Sequence, residues 1–270
     1  MDCVAIIPAR FGSTRFPGKP LATLQGRPLI EHVVARCSQV AGIDRVVVAT
    51  DDQRIVDTLD GSAADVMLTS ADFESGTDRV AHVAEQLDAD IVLNVQGDEP
   101  LIDAVELSAA LATFRHSGAD YGTLRAPLVD AADLVDPNTV KVAVDTNGVA
   151  LYFSRAPIPY PRALQRPSDS GPERGAETPW LPLEGPIPEG LHWIHVGVYL
   201  CRTPALLRWA RMPRSPLEIA ENLEQLRVLE AGGRMHTYEV SEALPGVDTP
   251  ADLERVRQAL GDKSIDDNEP

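Results

Sequence analysis

Short apolar runs rich in β-branched residues alternate with stretches of helical periodicity along the N-terminal half of this chain, and that alternation limits its fold more than any other feature. The runs cover residues 3–7 (Cys3-Val4-Ala5-Ile6-Ile7), 45–49, 66–68 and 91–95. Between them, 28–40, 52–60 and 76–87 carry helical patterning, with Pro28 and Asp52 at helix starts. Near-continuous apolar strands separated by helices are the mark of β-α-β units and a sheet covered on both faces. The expected fold class is therefore α/β: a doubly wound, mostly parallel sheet of Rossmann-like type over about residues 1–130. Its ligand crevice belongs outside the carboxyl ends of the strands.

The second half is mixed. Strands at 140–144 and 149–153 flank Asp145-Thr146-Asn147-Gly148, a hairpin turn by composition. A strand at 194–201, a helix from Thr203, a helix over 215–230, a strand near 236–240 and a last helix after Pro250 complete the expected elements. On the helix 215–230, periodicity buries Ile219 or Ala220, Leu223 and Leu226 and leaves Glu224 near the edge. Residues 156–190 hold nine prolines and four glycines, too many for a regular element, so this is an irregular excursion. Together these give one domain over 1–260, made of a core (1–130) and a smaller mixed α+β lobe (131–260). The acidic tail 261–270 is expected to fray.

Charge narrows the ligand. The net charge of −17 argues against a nucleic-acid partner, which needs a basic face. Yet residues 1–45 carry six bases against three acids, so a locally cationic segment sits in an acidic protein and suits one small anion. No apolar run approaches the roughly 20 residues of a membrane span, and the chain enters its first strand without a basic leader, which suggests a cytoplasmic protein with no membrane partner. Cys3, Cys37 and Cys201 are widely spaced and read as reduced, inert thiols.

The cationic segment is the loop after the first strand, Pro8-Ala9-Arg10-Phe11-Gly12-Ser13-Thr14-Arg15-Phe16-Pro17-Gly18-Lys19-Pro20. Glycines let backbone N–H groups approach phosphate oxygens, while Arg10, Arg15 and Lys19 offset the charge of a triphosphate. A solvated surface turn is the plainer alternative. The loop is not a Walker P-loop, because five residues separate Gly12 from Gly18 and Pro20 follows the lysine.

Two aspartates stand where a metal would help. Asp98 follows the strand 91–95 at the carboxyl edge, and Asp248 ends another strand-like run about 150 residues later. Such hard oxygen donors suit Mg²⁺, which binds through one or two carboxylates plus substrate phosphates. The competing reading makes Asp248 or Thr249 the cap of the helix opening at Pro250. Ser75-Gly76-Thr77 and Arg79 offer hydroxyl, backbone and cationic donors to a ligand, but Ser75 is equally suited to capping a helix. Gln96 can bind a nucleotide or satisfy strand-end backbone.

The stretch Ile6–Pro20 resembles the nucleotide-binding signature of CMP-Kdo synthetases (3-deoxy-manno-octulosonate cytidylyltransferases). The similarity continues in order through Ala49-Thr50-Asp51, Ser75-Gly76-Thr77-Asp78-Arg79, Asn94-Val95-Gln96-Gly97-Asp98-Glu99-Pro100, Tyr152-Phe153-Ser154-Arg155, Leu223-Glu224-Gln225-Leu226-Arg227 and Gly246-Val247-Asp248-Thr249-Pro250. The resemblance implies transfer of CMP from CTP to 3-deoxy-D-manno-octulosonate (Kdo), for lipopolysaccharide synthesis, by a Mg²⁺-dependent homodimer. A sialic-acid-like acceptor or a Kdo analogue is the alternative, since segment 162–190 departs from the family pattern. It further implies that Arg10, Ser13, Arg15, Lys19, Ser75, Gly76, Arg79 and Gln96 bind nucleotide and that Asp98 and Asp248 hold the metal. Lys19, Asp98 and Asp248 would form the catalytic set. Arg155, His195, Tyr199, Glu224 and Gln225 would meet the sugar acid, although from spacing alone His195 reads as a structural histidine and Glu224 as a solvated rim residue. A silent nucleotide-binding regulator and a metal-dependent glycosyltransferase are the rivals from other classes.

Overall fold

The computed structural model describes residues 1–12, 15–161 and 187–262. Ser13 and most of the proline-rich segment lie outside the described residues. The chain forms two compact units: residues 1–121, 197–211 and 244–270 in the first, 122–196 and 212–243 in the second.

In the first unit, β1 (Cys3–Ala9) pairs in parallel with β4 (Arg45–Thr50) on one side and β6 (Ile91–Asn94) on the other. The fourth strand continues in parallel to β5 (Asp65–Leu68), and residues 199–202 of β10 (Trp193–Arg202) close the other side antiparallel to β6. The sixth strand is buried throughout and the fourth is buried after Arg45, which explains why they read as unbroken apolar runs rather than alternating ones. The chain leaves β1 toward β4 and β5, then returns to the opposite side of β1 as β6. Strand order therefore reverses between β1 and β6, and a crevice opens outside their carboxyl ends.

Helices α1 (Leu29–Ser38), α2 (Gln53–Thr58) and α3 (Gly76–Ala84) make the crossovers close to where periodicity placed them. The side chain of Asp52 caps the second by accepting from Arg54 N. Helix α4 (Ala104–Ser117) follows no expectation above, although Asp103 caps it, Gly118 ends it at φ +69°, and Leu107, Ala110, Leu111 and Phe114 form its buried stripe. The short strands β2 (Thr23–Leu24) and β3 (Arg27–Pro28) were likewise not legible. Helix α6 (Thr203–Arg211) buries Leu206 and Trp209, and α9 (Pro250–Asp262) runs two residues beyond where the tail was expected to begin. Val256 of that last helix joins Leu24, Leu29 and Val247 in one buried cluster, with Phe16, Leu101, Leu253 and Leu260 against it. Burying side chains of this size is worth about 1.5–3 kcal/mol each. The cluster fixes the segment before α9 against the end of the N-terminal loop.

The second unit contains β7 (Tyr121–Pro127, from Gly122 onward), the short α5 (Ala131–Val135), β8 (Lys141–Val144), β9 (Ala150–Ser154), residues 193–196 of β10, and β11 (Met235–Glu239). The eighth and ninth strands form the expected hairpin: Asp145 Oδ1 accepts from Asn147 N and Val149 N, and Gly148 supplies φ +74°.

One expected helix is two. Helices α7 (Pro216–Glu221) and α8 (Leu226–Glu230) are separated at Asn222, which adopts a left-handed conformation at φ +53°. The projected stripe holds at Leu223 and Leu226, which are buried, and fails at its first position, where Ile219 and Ala220 are exposed and Glu218 is buried instead. Glu218 tolerates burial because Arg227 donates to both of its carboxylate oxygens at 2.7 Å and Ser215 forms a reciprocal cap with it.

Candidate active site

The crevice at the ends of β1 and β6 is lined by Arg10, Arg15, Lys19, Ser75, Gly76, Arg79, Gln96, Asp98 and Asp248, together with Pro8, Ala9, Pro20, Phe73 and Gly97. All lie in the first unit. Every described residue assigned above to nucleotide or metal is thus in one cavity; Ser13 lies outside the described residues.

The loop bearing the cations is shaped by three contacts. Gly18 N donates to Phe11 O at 3.0 Å, closing the loop on itself. Gly18 sits at φ +73°, and a Cβ there would lie 3.1 Å from the Phe11 ring, so glycine is needed for both backbone and space. On that ring stacks the guanidinium of Arg54, 3.3 Å from the centroid, itself held by both oxygens of Asp52. Gly18 then leads directly into a 3-10 turn, Lys19–Leu21, that places the lysine in the crevice.

Lys19 Nζ bridges the two aspartates, donating to Asp98 Oδ2 at 2.6 Å and Asp248 Oδ1 at 3.2 Å. Arg15 meets the other oxygen of Asp248 at 3.1 Å. Backbone keeps the acids together, since Val247 N donates to Asp98 O at 2.9 Å. Gly97 allows the close approach of β1 that this needs: a Cβ there would lie 2.9 Å from Pro8 O. The helix-cap alternative at Asp248 is removed locally. Thr249 and Asp252 cap α9 reciprocally, with Asp252 Oδ2 accepting from Thr249 N at 2.7 Å and Asp248 N at 3.1 Å. The carboxylate of Asp248 is left to the cations.

Glu99, to which the sequence reading gave no role, adjoins this pair. Burial pushes its carboxyl up to about 8, and the charges of Asp98 and Asp248 add to the shift. Two adjacent acids at a strand end were the available signal. Ser75 does cap α3, accepting from Asp78 N at 3.1 Å, while still lining the cavity. Arg79 is buried and committed, donating to Asp51 at 2.9 Å and Thr69 at 2.5 Å, so it lends the cavity a wall whose charge is already paired. Gln96 Nε2 donates to Asn94 Oδ1 at 3.2 Å.

The two carboxylates fit a hard divalent cation. An ammonium already rests between them, and their oxygens are the donor type Mg²⁺ prefers. Among the described residues no group of three or more His, Cys, Asp and Glu could hold a metal, so the remaining ligands would come from substrate and water.

The residues assigned to the sugar acid divide between the units. Four belong to the second. His195 Nε2 lies 2.9 Å from Thr123 Oγ1, its Nδ1 lies 3.5 Å from Gln225 Nε2, and Phe153 packs edge-on against its ring at 4.8 Å. Burial drives the imidazole down to about 3, so it is neutral at physiological pH. Glu224 is half-buried in the turn between α7 and α8, beside Gln225. Arg155 spends its guanidinium on Glu221 O and Pro137 O, each at 2.9 Å. Tyr199 belongs to the first unit, where it pairs with Asn94 across the strands and its ring meets Trp209 at 5.3 Å.

The family described as Cytidylyltransferase matches residues 4–239. The chain is 47% identical over 261 residues to the 3-deoxy-manno-octulosonate cytidylyltransferase of Syntrophotalea carbinolica, covering 96% of this chain and 99% of that one. It is 41% identical to the enzyme of the same name from Escherichia coli, covering 95% of each. A solved structure of CMP:2-keto-3-deoxy-manno-octonic acid synthetase in complex with CTP superposes with a TM-score of 0.83 at 40% identity, over 97% of this chain and all of that one. A 4-diphosphocytidyl-2C-methyl-D-erythritol synthase, at 15% identity and TM-score 0.60, shares the fold. The loop, the paired acids and the six ordered motifs thus sit in a sheet and a sequence that place this chain in the 3-deoxy-manno-octulosonate cytidylyltransferase family.

Proposed function

We propose that this cytidylyltransferase transfers CMP from CTP to the anomeric hydroxyl of Kdo, releasing pyrophosphate, with Mg²⁺ held by Asp98 and Asp248. The observation that carries the reading is the juxtaposition of Arg15 and Lys19 with Asp98, just past β6, and Asp248, which ends no strand and lies in the irregular segment before α9, in the crevice where strand order reverses. An anionic nucleotide needs the cations, and its metal needs the acids.

Arg10, Arg15 and Lys19 would take the phosphate chain of CTP. Lys19 exchanges a carboxylate partner for a phosphate oxygen, which keeps its charge paired throughout. Gly76, at the N-terminus of α3, offers backbone close to Gln96, and Gln96 contributes an amide to the bound substrates. The attacking hydroxyl approaches the α-phosphorus in line with departing pyrophosphate, so positioning and charge supply most of the acceleration. Bound Mg²⁺ would neutralise charge on the α-phosphate and the leaving group. His195, neutral, and Gln225, Glu224 and Tyr199 would meet the hydroxyls of the sugar, and Arg155 would shape the pocket through its backbone contacts. A cytoplasmic homodimer is the form we propose, supported by exposed apolar residues in the second unit such as Leu151 and Ile219 and by the absence, among the described residues, of a helix long and apolar enough to cross a membrane.

The test is an acceptor panel with CTP and Mg²⁺, scored by pyrophosphate release. Kdo should turn over best. Faster turnover of a sialic-acid-like sugar, with none of Kdo, would refute the acceptor.

A further inference from the structure

Asn94, the last residue of β6, is 1% exposed, yet its amide nitrogen Nδ2 has no hydrogen-bond partner among the described residues. In the sheet it stands between Ile6 of β1 and Tyr199 of β10. A buried donor left unpaired lowers stability, and a leucine of similar size would carry no such group. The other end of the amide is used. Asn94 Oδ1 accepts from Gln96 Nε2 at 3.2 Å, and among the described residues that is the one hydrogen bond of the Gln96 side chain, which lines the crevice.

The pairing fixes the polarity of Gln96. With Nε2 turned to Asn94, Oε1 is the end left over, and it lies over Gly76, 3.5 Å from where a Cβ on that glycine would stand. Rotating both amides by half a turn would keep one bond, from Nδ2 to Oε1, but it would bring the NH₂ of Gln96 over Gly76. Gly76 opens α3, and the first turn of a helix presents N–H groups without partners inside the helix and a partial positive charge. A carbonyl oxygen is favoured there and an NH₂ group is opposed. Asn94 and the helix therefore select the same orientation, with the oxygen toward α3 and the nitrogen toward Asn94.

We propose that Asn94 is a positioning residue: it holds the Gln96 amide with its carbonyl oxygen presented in the crevice, as an acceptor for a hydroxyl of the bound substrates. The ribose of CTP and the sugar acid both offer that chemistry. This rests on the reading that Gln96 meets the substrates. An oxygen already held in place meets its hydroxyl without first rotating, and a substrate lacking that hydroxyl leaves the oxygen unpaired. The unpaired Nδ2 is the counterpart, a polar group whose burial serves its neighbour rather than the fold.

The full-length enzyme tests this in a double-mutant cycle, with the KM measured for CTP and for Kdo. Gln96→Ala should raise at least one of the two about tenfold, the loss of one hydrogen bond, and the KM that rises identifies the owner of the hydroxyl. Asn94→Leu should raise the same KM about fivefold, and in the Gln96→Ala background it should add nothing. Its urea midpoint should equal or exceed that of the wild type, since the unpaired donor is gone; a merely structural role for the asparagine would reverse that result. Asn94→Asp, which keeps an acceptor for Nε2, should hold the KM near the wild-type value. An unchanged KM in a folded Asn94→Leu enzyme overturns the proposal, as does an equal rise with and without Gln96. Neutron diffraction from crystals of the substrate-free wild type overturns it too if Asn94 Nδ2 is found bonded to Gln96 Oε1, even where the leucine variant fails to fold. If Gln96→Ala moves neither KM, the placement of substrate at Gln96 falls and takes the positioning role with it, while the neutron density decides the orientation of the amide separately.

Discussion

The charged cluster at the ends of β1 and β6 and the neutral cluster around His195 solve opposite problems. In the first, Lys19, Asp98 and Asp248 are 14%, 27% and 51% exposed, and each is held by ion pairs that water can reach. In the second, Thr123, Gln225 and Phe153 are buried, and the contacts with His195 are between uncharged groups. A site that takes in a metal and a triphosphate must let go of its internal partners cheaply, and half-exposed ion pairs are worth little. A site that distinguishes hydroxyls must not let its partners rotate, and burial makes an unmatched polar group expensive.

The sharpest way to break this comparison is to remove charge from the first cluster. Asp98→Asn should lower kcat by roughly a thousandfold, the equivalent of several kcal/mol of charge stabilisation, with the unfolding midpoint nearly unchanged. Lys19→Met should also cut turnover, yet it should tighten the binding of Mn²⁺ to the nucleotide-free protein by up to about fivefold, because the ammonium between the two carboxylates is gone. Titration of Mn²⁺ by electron paramagnetic resonance reads this directly. Weaker Mn²⁺ binding in Lys19→Met would show that the aspartates are not the metal site.

The second unit should respond in stability first. Lys141 is fully buried there, and its ammonium donates to three carbonyl oxygens: Asp136 at 2.7 Å, Thr139 at 2.5 Å and Arg155 at 2.7 Å. Burial pushes it down to about 8, which still leaves it mainly charged at pH 7. Replacing Lys141 by Met leaves three part-buried acceptors without their ammonium donor and should cost about 3 kcal/mol in urea unfolding. Since Lys141 also anchors the backbone of Arg155, the KM for Kdo should rise while that for CTP holds. A loss below about 0.5 kcal/mol would mean that water replaces the amine, and that this region is no more buried than the charged cluster.

What could be read from the sequence follows the same division. The parallel strands announced themselves because a strand buried on both faces has no polar positions to interrupt it, and the cationic loop and Asp98 followed from where such strands end. The reciprocal cap of Thr249 and Asp252 was hidden, because Asp248 and Thr249 are both competent caps and only the fold shows which is used. Helix α4 carried its caps and its stripe in plain sight and was missed. The break at Asn222 was not legible: the apolar pattern of 215–230 continues through it, and the buried pair of Glu218 with Arg227 reverses the rule that charge marks the outer face.

Glu99 offers the smallest effect and the finest test, because it belongs to the charged cluster yet is pushed up to about 8 as if it belonged to the buried one. A carboxyl raised above its ordinary value near 4.5 binds its proton more tightly folded than unfolded. Its contribution therefore makes stability fall as pH rises from about 4.5 to about 8, and the decline ends once the folded group has ionised. Urea midpoints measured across that window, without nucleotide or divalent cation, should slope downward in the wild type. In Glu99→Gln the slope should be shallower and the protein more stable at pH 8. Asp98→Asn should shift the same transition toward lower pH, since one of the two charges that raise Glu99 is gone. Adding Mg²⁺ should flatten the wild-type slope and leave that of Glu99→Gln as it was, for a cation beside Asp98 offsets the repulsion that Glu99 feels. Equal slopes in the wild type and Glu99→Gln would place Glu99 with the solvent-screened charges, and the two clusters would then differ completely rather than by degree.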